Sequence, residues 1–327
     1  MKQKVTAIFS IFFILIFGLV TTSAAAEVKF IQITSGPVGG TYYILGGALA
    51  DLLKDTNPGV KVTVTTGGSL ANISKTQSGK ADIGFTMNRL VYEARNDTGS
   101  FEGKGTHDNV LGLTYLCDIY MSLFLVSEDF PINSISDIKE NKAKIRILTS
   151  PRASSPSVAA ERLLEGYGIS FEDIENWGGK VNFVSYSEAA SLLKDGHADV
   201  WLGPMVPPIL EWTVSKKVKF LPPDQAVLEK LKAKYKYGIA TIPANYWEFL
   251  KKPTPIMTES IMIVIRKQIP EDMVYNIAKA ISTNPDVVRK VHRIYSSFDP
   301  QNACNITGTS MHPGALKYYK EAGIPCK

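Results

Sequence analysis

The sequence predicts an α/β protein of two similar lobes joined by two crossing segments. Short apolar strands alternate with helices along most of the chain, which favours parallel sheets covered by helices on both faces. A unit of helix, glycine turn, Ala-Asp and apolar strand occurs twice, at 73–85 and at 190–202. In a second pair of segments, 121–131 and 261–270, an apolar strand precedes charged residues, a proline and a helix. The alternative is chance similarity, because helix-turn-strand units are common.

These repeats set the expected boundaries of the lobes. We expect a first lobe of residues 27–118 and 255–327, and a second lobe of residues 119–254. The crossings then lie near 118–127 and near 245–262. A chain of 327 residues is long enough for about two domains.

The first 26 residues are predicted to be a secretory signal peptide. Lys2 and Lys4 precede an apolar core at 9–20, and the small residues at 24–26 form a cleavage site. The alternative is an uncleaved membrane anchor, for which the apolar run is too short to span comfortably. We expect a mature chain that begins near Glu27 and is soluble in a bacterial periplasm.

The composition excludes some classes of partner and permits a disulfide. Without Lys2 and Lys4 the chain has 34 basic and 31 acidic residues, too mild a balance for a nucleic-acid surface. Export permits disulfides, and Cys304 and Cys326 lie close together around a predicted helix, while Cys117 lies in an apolar stretch and is predicted to be a buried thiol. Four dispersed histidines and the lack of a CxxC motif predict no metal site, and no cofactor is expected.

Two spacings of apolar residues, that of a helix face and the alternation of a strand, predict the elements of the first 140 residues. Apolar residues in 43–53 fall on one helix face, and 60–64 alternates as a strand does. Polar, glycine-rich segments are interpreted as loops. The predicted order is strand 28–33, helix 43–53, strand 60–64, helix 70–78, strand 81–85, loop 86–88, loop 96–109, strands 110–116 and 120–126, and a helix near 136–140.

The alternation continues to residue 232 and then gives way to helices after residue 270. The predicted order is strand 145–148, helix 158–165, strand 181–184, helix 187–194, strand 199–202, helix 209–215, strand 218–221, helix 226–232, helices 272–282 and 285–295, loop 301–310, and a last helix within 312–322.

Glycine-rich or serine-rich turns at the carboxyl ends of strands are the candidate binding elements. The turn at 35–42 lies between a strand and a helix, and its glycines let the backbone approach a bound group. The unpaired N–H groups and positive dipole at a helix start favour an anion such as a carboxylate. Similar turns occur at 66–70, 150–157 and 203–208. The alternative is a plain structural turn; the spacing fits neither a P-loop nor a dinucleotide fingerprint.

The predicted ligand contacts come from these turns and from the loop at Asn88. Arg152 is the one cation within the four turns, and its guanidinium could pair with a carboxylate in two bonds, unless it is simply a solvated loop residue. A serine before a helix is more often only a cap. The candidate residues are Gly40, Thr41, Tyr42, Ser69, Leu70, Asn88, Arg152, Ser154, Ser155 and Met205.

The motifs of common enzymes are missing from the sequence. There is no Gly-x-Ser-x-Gly elbow and no HExxH pattern. His107, His197, His292 and His312 lie in contexts typical of surfaces, turns or helix starts. The sequence therefore predicts a binding protein rather than an enzyme.

With these residues laid out, the chain resembles the TAXI family, the TRAP-associated extracytoplasmic solute receptors, over nearly the whole mature chain. The segments that carry the resemblance are Gly39-Gly40-Thr41-Tyr42-Tyr43, Gly68-Ser69 with Asn72-Ile73, Gly79-Lys80-Ala81-Asp82-Ile83-Gly84-Phe85, Ala160-Glu161-Arg162-Leu163-Leu164, and His312-Pro313-Gly314-Ala315 with Tyr318-Tyr319.

The resemblance implies a type II periplasmic binding protein whose two lobes close on a solute such as glutamate or 2-oxoglutarate. The solute would pass to a TRAP membrane permease. The third ligand loop of that family is usually rich in glycine, whereas here residues 150–157 contain no glycine and include Arg152. A periplasmic sensor that reports the solute to a membrane partner without transport is the alternative, since it needs the same cleft.

Overall fold

Two β-sheets, each covered by helices, form the part of the chain that the computed structural model describes, residues 30–326. The predicted signal peptide lies outside these residues. The strands are β1 (Phe30–Thr34), β2 (Lys61–Thr65), β3 (Ile83–Met87), β4 (Val110–Tyr120), β5 (Leu123–Ser127), β6 (Arg146–Thr149), β7 (Lys180–Phe183), β8 (Val200–Gly203), β9 (Val218–Phe220), β10 (Gly238–Ile242) and β11 (Thr254–Arg266).

Helices connect most of the parallel strands and cover the sheets. They are α1 (Thr41–Thr56), α2 (Ser69–Gln77), α3 (Asn88–Arg95), α4 (Ser136–Glu140), α5 (Ser155–Gly166), α6 (Phe171–Asn176), α7 (Tyr186–Lys194), α8 (Pro207–Ser215), α9 (Gln225–Tyr235), α10 (Glu271–Thr283), α11 (Pro285–Arg289) and α12 (Pro313–Glu321).

The two sheets share one strand plan. In the first sheet β1 lies between β2 and β3 and is parallel to both, and β11 pairs antiparallel to β3. In the second sheet β6 lies between β7 and β8 and is parallel to both, and β5 pairs antiparallel to β8. The repeats seen in the sequence are therefore equivalent parts of two α/β lobes, and the predicted fold class is confirmed.

Asp82 and Asp199, the aspartates of the repeated Ala-Asp unit, make equivalent contacts in the two lobes. Asp82 accepts the Gln32 backbone N–H at 2.9 Å and pairs with Arg266 at 2.7 Å. Asp199 accepts the backbone N–H of Arg146 at 2.8 Å and pairs with its guanidinium at 2.6 Å. Each carboxylate thus ties the start of its own strand to a neighbouring strand.

The lobes are joined by a long antiparallel pair, β4 with β11, of 11 and 13 residues. Their pairing runs from Val110–Arg266 to Tyr120–Thr258. The first residues of β11 reach the second lobe, where Met257 packs in its core and accepts the Met121 N–H at 2.8 Å. β10, inside the range expected for the second lobe, pairs with β11 of the first sheet.

Three apolar cores hold these layers together. One lies in the first lobe and contains Ile33, Phe85 and Ile263. The other two lie on opposite faces of the second sheet, because residues alternate along each strand. Phe124 of β5 packs in one of them and Leu125 in the other.

Two departures from the predicted elements have identifiable causes. α3 begins at Asn88, where a loop was predicted. The helix was not predicted because the charged residues at positions 89 and 93 lie on its buried face and break the apolar pattern. The predicted helix 285–295 ends at Arg289, and beyond it His292 has an extended backbone (φ −163°) and accepts the Ile294 N–H through Nδ1. β10 and α6 were not predicted.

Cys304 and Cys326 form a disulfide, and Cys117 is a buried thiol whose pKa burial raises to about 12. The disulfide joins the segment that follows α12 to the loop whose Ala303 carbonyl accepts the Tyr115 N–H of β4. Among residues 30–326, no helix has both the length and the apolar character needed to cross a bilayer.

Removing the disulfide should lower the free energy of unfolding by about 3 kcal/mol, because the bond closes a loop across a sequence separation of 22 residues. Denaturant unfolding of the double variant Cys304→Ser/Cys326→Ser measures the loss. Reductant should reproduce the effect in the wild type and leave the variant unchanged. A wild-type protein that is indifferent to reductant would contradict the prediction.

Candidate ligand-binding site

A narrow cleft between the two lobes holds a cavity of about 60 Å³. Its walls come from helix starts, strand ends and the crossing segments of both lobes. The lining residues are Pro37, Gly40, Thr41, Tyr42, Gly68, Ser69, Met87, Ile119, Tyr120, Ser154, Pro156, Tyr186, Pro204, Met205, Val206, Leu210, Tyr246, Trp247, His292, Arg293 and Ile294.

The cleft gathers six of the ten residues predicted to contact a ligand: Gly40, Thr41, Tyr42, Ser69, Ser154 and Met205. The other four have different surroundings. The Leu70 N–H donates to Ala153 O at 3.1 Å, Asn88 Nδ2 donates to Asn305 O at 3.3 Å, and Ser155 Oγ donates to Glu259 at 2.5 Å. Arg152 is exposed and stacks on Phe183 at 3.7 Å.

The start of α1 presents hydrogen-bond donors to the cleft. Its N-cap is Gly40, and no side chain caps its first turn. The Thr41 and Tyr42 N–H groups therefore have no partner within the helix, while the Tyr43 N–H donates to Gly40 O at 3.0 Å. Gly39 has a φ of +81°, which favours glycine, and a Cβ there would lie 2.7 Å from Ser187 Oγ of the other lobe. Thr41 Oγ1 accepts from the Tyr295 hydroxyl at 3.2 Å, so its own hydrogen can be donated to a ligand.

Tyr42 forms part of the cleft wall beside this helix start. Its ring stacks on Phe85 with centroids 5.4 Å apart, and its hydroxyl donates to Thr86 O at 3.4 Å. Burial, together with nearby Tyr295 and Glu259, raises the pKa of the Tyr42 hydroxyl well above its ordinary value. The hydroxyl therefore remains a neutral donor.

The start of α2 contacts the opposite lobe directly. Gly68 is its N-cap, and the Leu70 and Ala71 N–H groups donate to Ala153 O at 3.1 and 3.4 Å. Ala153 adopts a left-handed conformation (φ +63°) in the loop that lacks glycine. A Cβ on Gly68 would lie 2.9 Å from the same carbonyl, so the close approach of the lobes requires glycine here.

The cationic side chain in the cleft wall is Arg293, which sequence reasoning missed. Its guanidinium stacks on Tyr246 at 3.8 Å, and Nη1 donates to Tyr246 O at 3.1 Å. Arg293 lies within the segment predicted as a continuous helix, so no turn signal marked it. α11 ends at Arg289, and the extended backbone of His292 then brings Arg293 to the cleft.

His292 also lines the cleft as a neutral group. Burial and the adjacent Arg293 lower the pKa of its imidazole. Because Nδ1 accepts the Ile294 N–H at 3.3 Å, the proton of the neutral ring is on Nε2.

An aromatic cluster forms another part of the wall. Tyr120 lies edge to face with Tyr246 and Trp247, with centroids 5.6 and 6.1 Å away. Tyr246 and Trp247 also pack edge to face on each other at 4.8 Å. All three belong to the segments predicted to cross between lobes, which is the one sequence signal that could have indicated them.

Behind the cleft, four buried charges form a network that links α3, α5 and β11, which we call the ion network: Arg89, Glu93, Arg162 and Glu259. Arg162 Nη2 lies 3.0 Å from Glu93, and Arg89 Nη2 lies 2.9 Å from Glu259. Glu93 also pairs with Arg89 at 2.5 Å. All four side chains are less than 10% exposed.

The ion network connects the two lobes. Arg162 belongs to α5, which packs in the second-lobe core through Leu163 and Leu164. Its partner Glu93 belongs to α3, which packs in the first-lobe core through Leu90 and Val91. Buried charges are costly unless they are paired. The arrangement of the lobes seen here therefore keeps these charges paired. Separating the lobes would break the Arg162–Glu93 pair and expose both groups to water.

A model of the NMT1-like family matches residues 33–323, most of the chain. The chain belongs to the NMT1-like family. Several solved structures share the fold of this NMT1-like protein. The periplasmic binding protein BugD is 15% identical, with 91% of this chain and 99% of that chain covered and a TM-score of 0.55.

Two structures from Rhodopseudomonas palustris are similar to the same extent. MatC, solved with bound malate, is 12% identical over 90% of this chain and 97% of that chain, with a TM-score of 0.57. A second protein, solved with adipate, is 12% identical over 90% of this chain and 93% of that chain, with a TM-score of 0.56. At such identities the likeness shows the fold, that of periplasmic solute-binding proteins.

Replacing Glu93 by glutamine should lower the free energy of unfolding by about 3–5 kcal/mol, since it leaves the Arg89 and Arg162 guanidiniums buried without their shared carboxylate. Urea unfolding at pH 7 measures this. The control is Glu175→Gln on the exposed side of α6, which should change stability by no more than about 0.5 kcal/mol.

The pH dependence of unfolding checks the same ion pairs. Burial raises the pKa of Glu93, but Arg89 and Arg162 outweigh it and hold this pKa below its ordinary value. Such a carboxylate adds stability above its unfolded pKa, about 4.3, and loses it as pH falls through the folded pKa. The Glu93→Gln variant should therefore lose less stability than the wild type in acid. Equal acid sensitivity would contradict the pairing.

The Gly68→Ala substitution should separate the lobes, because the added Cβ would collide with the Ala153 carbonyl. Closure should weaken by about 1–3 kcal/mol, the worth of two hydrogen bonds. Small-angle X-ray scattering should show a larger radius of gyration than the wild type. Gly47→Ala, with open space around the new Cβ, is the control, and equal radii for the two variants would refute the prediction.

Proposed function

We propose that this protein is the periplasmic solute receptor of a TRAP-type (TAXI) uptake system. It binds a small carboxylate or amino acid, a class that includes glutamate and 2-oxoglutarate, in the cleft and delivers it to the membrane permease. The observation that carries the proposal is the start of α1 at the cleft wall: its N-cap is Gly40, no side chain caps it, and the Thr41 and Tyr42 N–H groups have no partner within the helix. Such helix starts bind anions.

The family and the fold support this proposal. Two proteins with the same fold were solved with malate and adipate, which are both small carboxylates. In our proposal the ligand contacts are the predicted residues that line the cleft: Gly40, Thr41, Tyr42, Ser69, Ser154 and Met205.

Binding is coupled to closure in this mechanism. The β4–β11 pair acts as the hinge, and the α2 start and Ala153 meet as the lobes approach. A ligand that contacts both lobes stabilises the closed arrangement by its additional affinity for it. The exclusion of water then strengthens each hydrogen bond between a helix start and the carboxylate.

Thermal unfolding with a panel of solutes tests the proposal. The mature protein, beginning at Glu27, is unfolded and refolded to remove carried ligand and then heated with dicarboxylates, monocarboxylates, amino acids and sugars. A solute at one hundred times its dissociation constant should add about 2.7 kcal/mol of stability. We expect a carboxylate or amino acid to raise the melting temperature. A response to sugars alone would refute the proposal.

Uptake by cells separates transport from sensing. Deletion of the gene for this receptor should abolish uptake of the bound solute, and plasmid expression should restore it. If uptake persists while a cellular response to the solute is lost, the protein is a sensor and the transport role is wrong.

A further inference from the structure

The charged residues of the cleft wall indicate which carboxylates the cleft accepts. This inference rests on the proposed receptor function and narrows its ligand class. Among the described residues that line the cleft, none is aspartate or glutamate, and Arg293 is the charged side chain. We propose that the cleft takes carboxylates that carry no ammonium group, and that Arg293 pairs with the carboxylate. Amino acids are then rejected within the class of small carboxylates.

The rejection follows from hydrogen bonding. An α-ammonium group brings three donors and a positive charge into the cleft, where it needs acceptors. The start of α1 presents the Thr41 and Tyr42 N–H groups, which are donors as well. Burying a positive charge with no carboxylate beside it is costly, and Arg293 adds repulsion between like charges.

The aromatic cluster does not offer an alternative partner for an ammonium group. Cation–π binding needs the open face of a ring, and Arg293 already stacks on Tyr246 at 3.8 Å. The rings of Tyr120, Tyr246 and Trp247 pack edge to face on one another, with interplanar angles of 84°, 76° and 87°. They form a packed wall rather than a cage around a free cation.

Arg293 has the geometry to pair with an anion. Stacking on Tyr246 and the bond from Nη1 to Tyr246 O orient the guanidinium. The remaining N–H groups of its planar fork match a carboxylate. Arg152, the cation chosen from sequence, is likewise exposed and stacked on a ring, Phe183, but it does not line the cleft.

Apolar side chains form much of the remaining wall, including Ile119, Met205, Val206 and Leu210. These side chains favour contact with the apolar part of a ligand, since burying apolar area is favourable. The body of the ligand is therefore expected to include apolar carbon, and the test uses one probe pair with an apolar body and one with a second carboxylate.

Isothermal titration with matched pairs tests the selectivity. The pairs are 4-methyl-2-oxopentanoate against leucine, and 2-oxoglutarate against glutamate, because the members of each pair differ only in the oxo or amino group. If neither pair binds, the tightest carboxylate of the panel and its 2-amino analogue replace them. The acid without nitrogen should bind about tenfold tighter or more, which is about 1.4 kcal/mol. Equal or tighter binding of the amino acid overturns the selectivity while the receptor function stands.

Variants test the role of Arg293 in the same assay. Arg293→Gln should weaken binding of the preferred acid by about tenfold or more, and Arg293→Lys should restore part of the loss. Lys61→Gln, on β2 outside the cleft wall, is the control for a lost surface charge. Unchanged affinity in Arg293→Gln overturns the assignment, as does a loss in Arg152→Gln alone. If no carboxylate or amino acid binds the wild type, the proposed function itself fails.

Discussion

The ion network behind the cleft is the constraint on which the arrangement of the two lobes depends. Arg89, Glu93, Arg162 and Glu259 are all nearly buried, and each guanidinium has a carboxylate partner on another element. Taking a charge out of water costs several kcal/mol, which only close pairing offsets. The network can therefore form only where α3, α5 and β11 meet, and that meeting point lies beside the cleft. Tyr235 and Tyr237 add to the pairing, since their rings lie 4.1 Å from the Arg162 guanidinium and 4.6 Å from that of Arg89.

Given that arrangement, the chemistry of the cleft follows from its close contacts. The lobes approach so closely at Gly39 and Gly68 that a Cβ would collide with the other lobe. Glycines at these helix starts leave backbone N–H groups uncapped by side chains. At α1 these N–H groups can serve as donors for an anion, whereas at α2 the Leu70 and Ala71 N–H groups bond the carbonyl of Ala153 in the other lobe.

Local spacing explains which parts of the fold could be predicted. The alternation of strands and helices predicts α/β lobes, because the spacing of apolar residues indicates which face of each element is buried. The repeated Ala-Asp units at Asp82 and Asp199 indicate that there are two such lobes. Helix starts at the carboxyl ends of parallel strands predict where a ligand cleft lies, and six of the ten candidate residues line it. α3 was missed because Arg89 and Glu93 place charges on a buried face, and a pattern of apolar residues cannot show charges that are paired with distant segments.

The sequence by itself determined the two-lobed α/β architecture and the glycine-rich helix starts, because spacings of two and of three to four residues are local properties of the chain. Only the tertiary structure decided which charges meet. Glu93 and Arg162 are 69 residues apart, and Ser155 and Glu259 are 104 residues apart, so nothing in their neighbourhoods indicates the contact. The same holds for Arg293, whose place in the cleft wall results from the extended backbone of His292 after α11 and from packing on Tyr246. Contacts of this kind depend on how whole lobes are placed, and local sequence patterns carry no information about that placement.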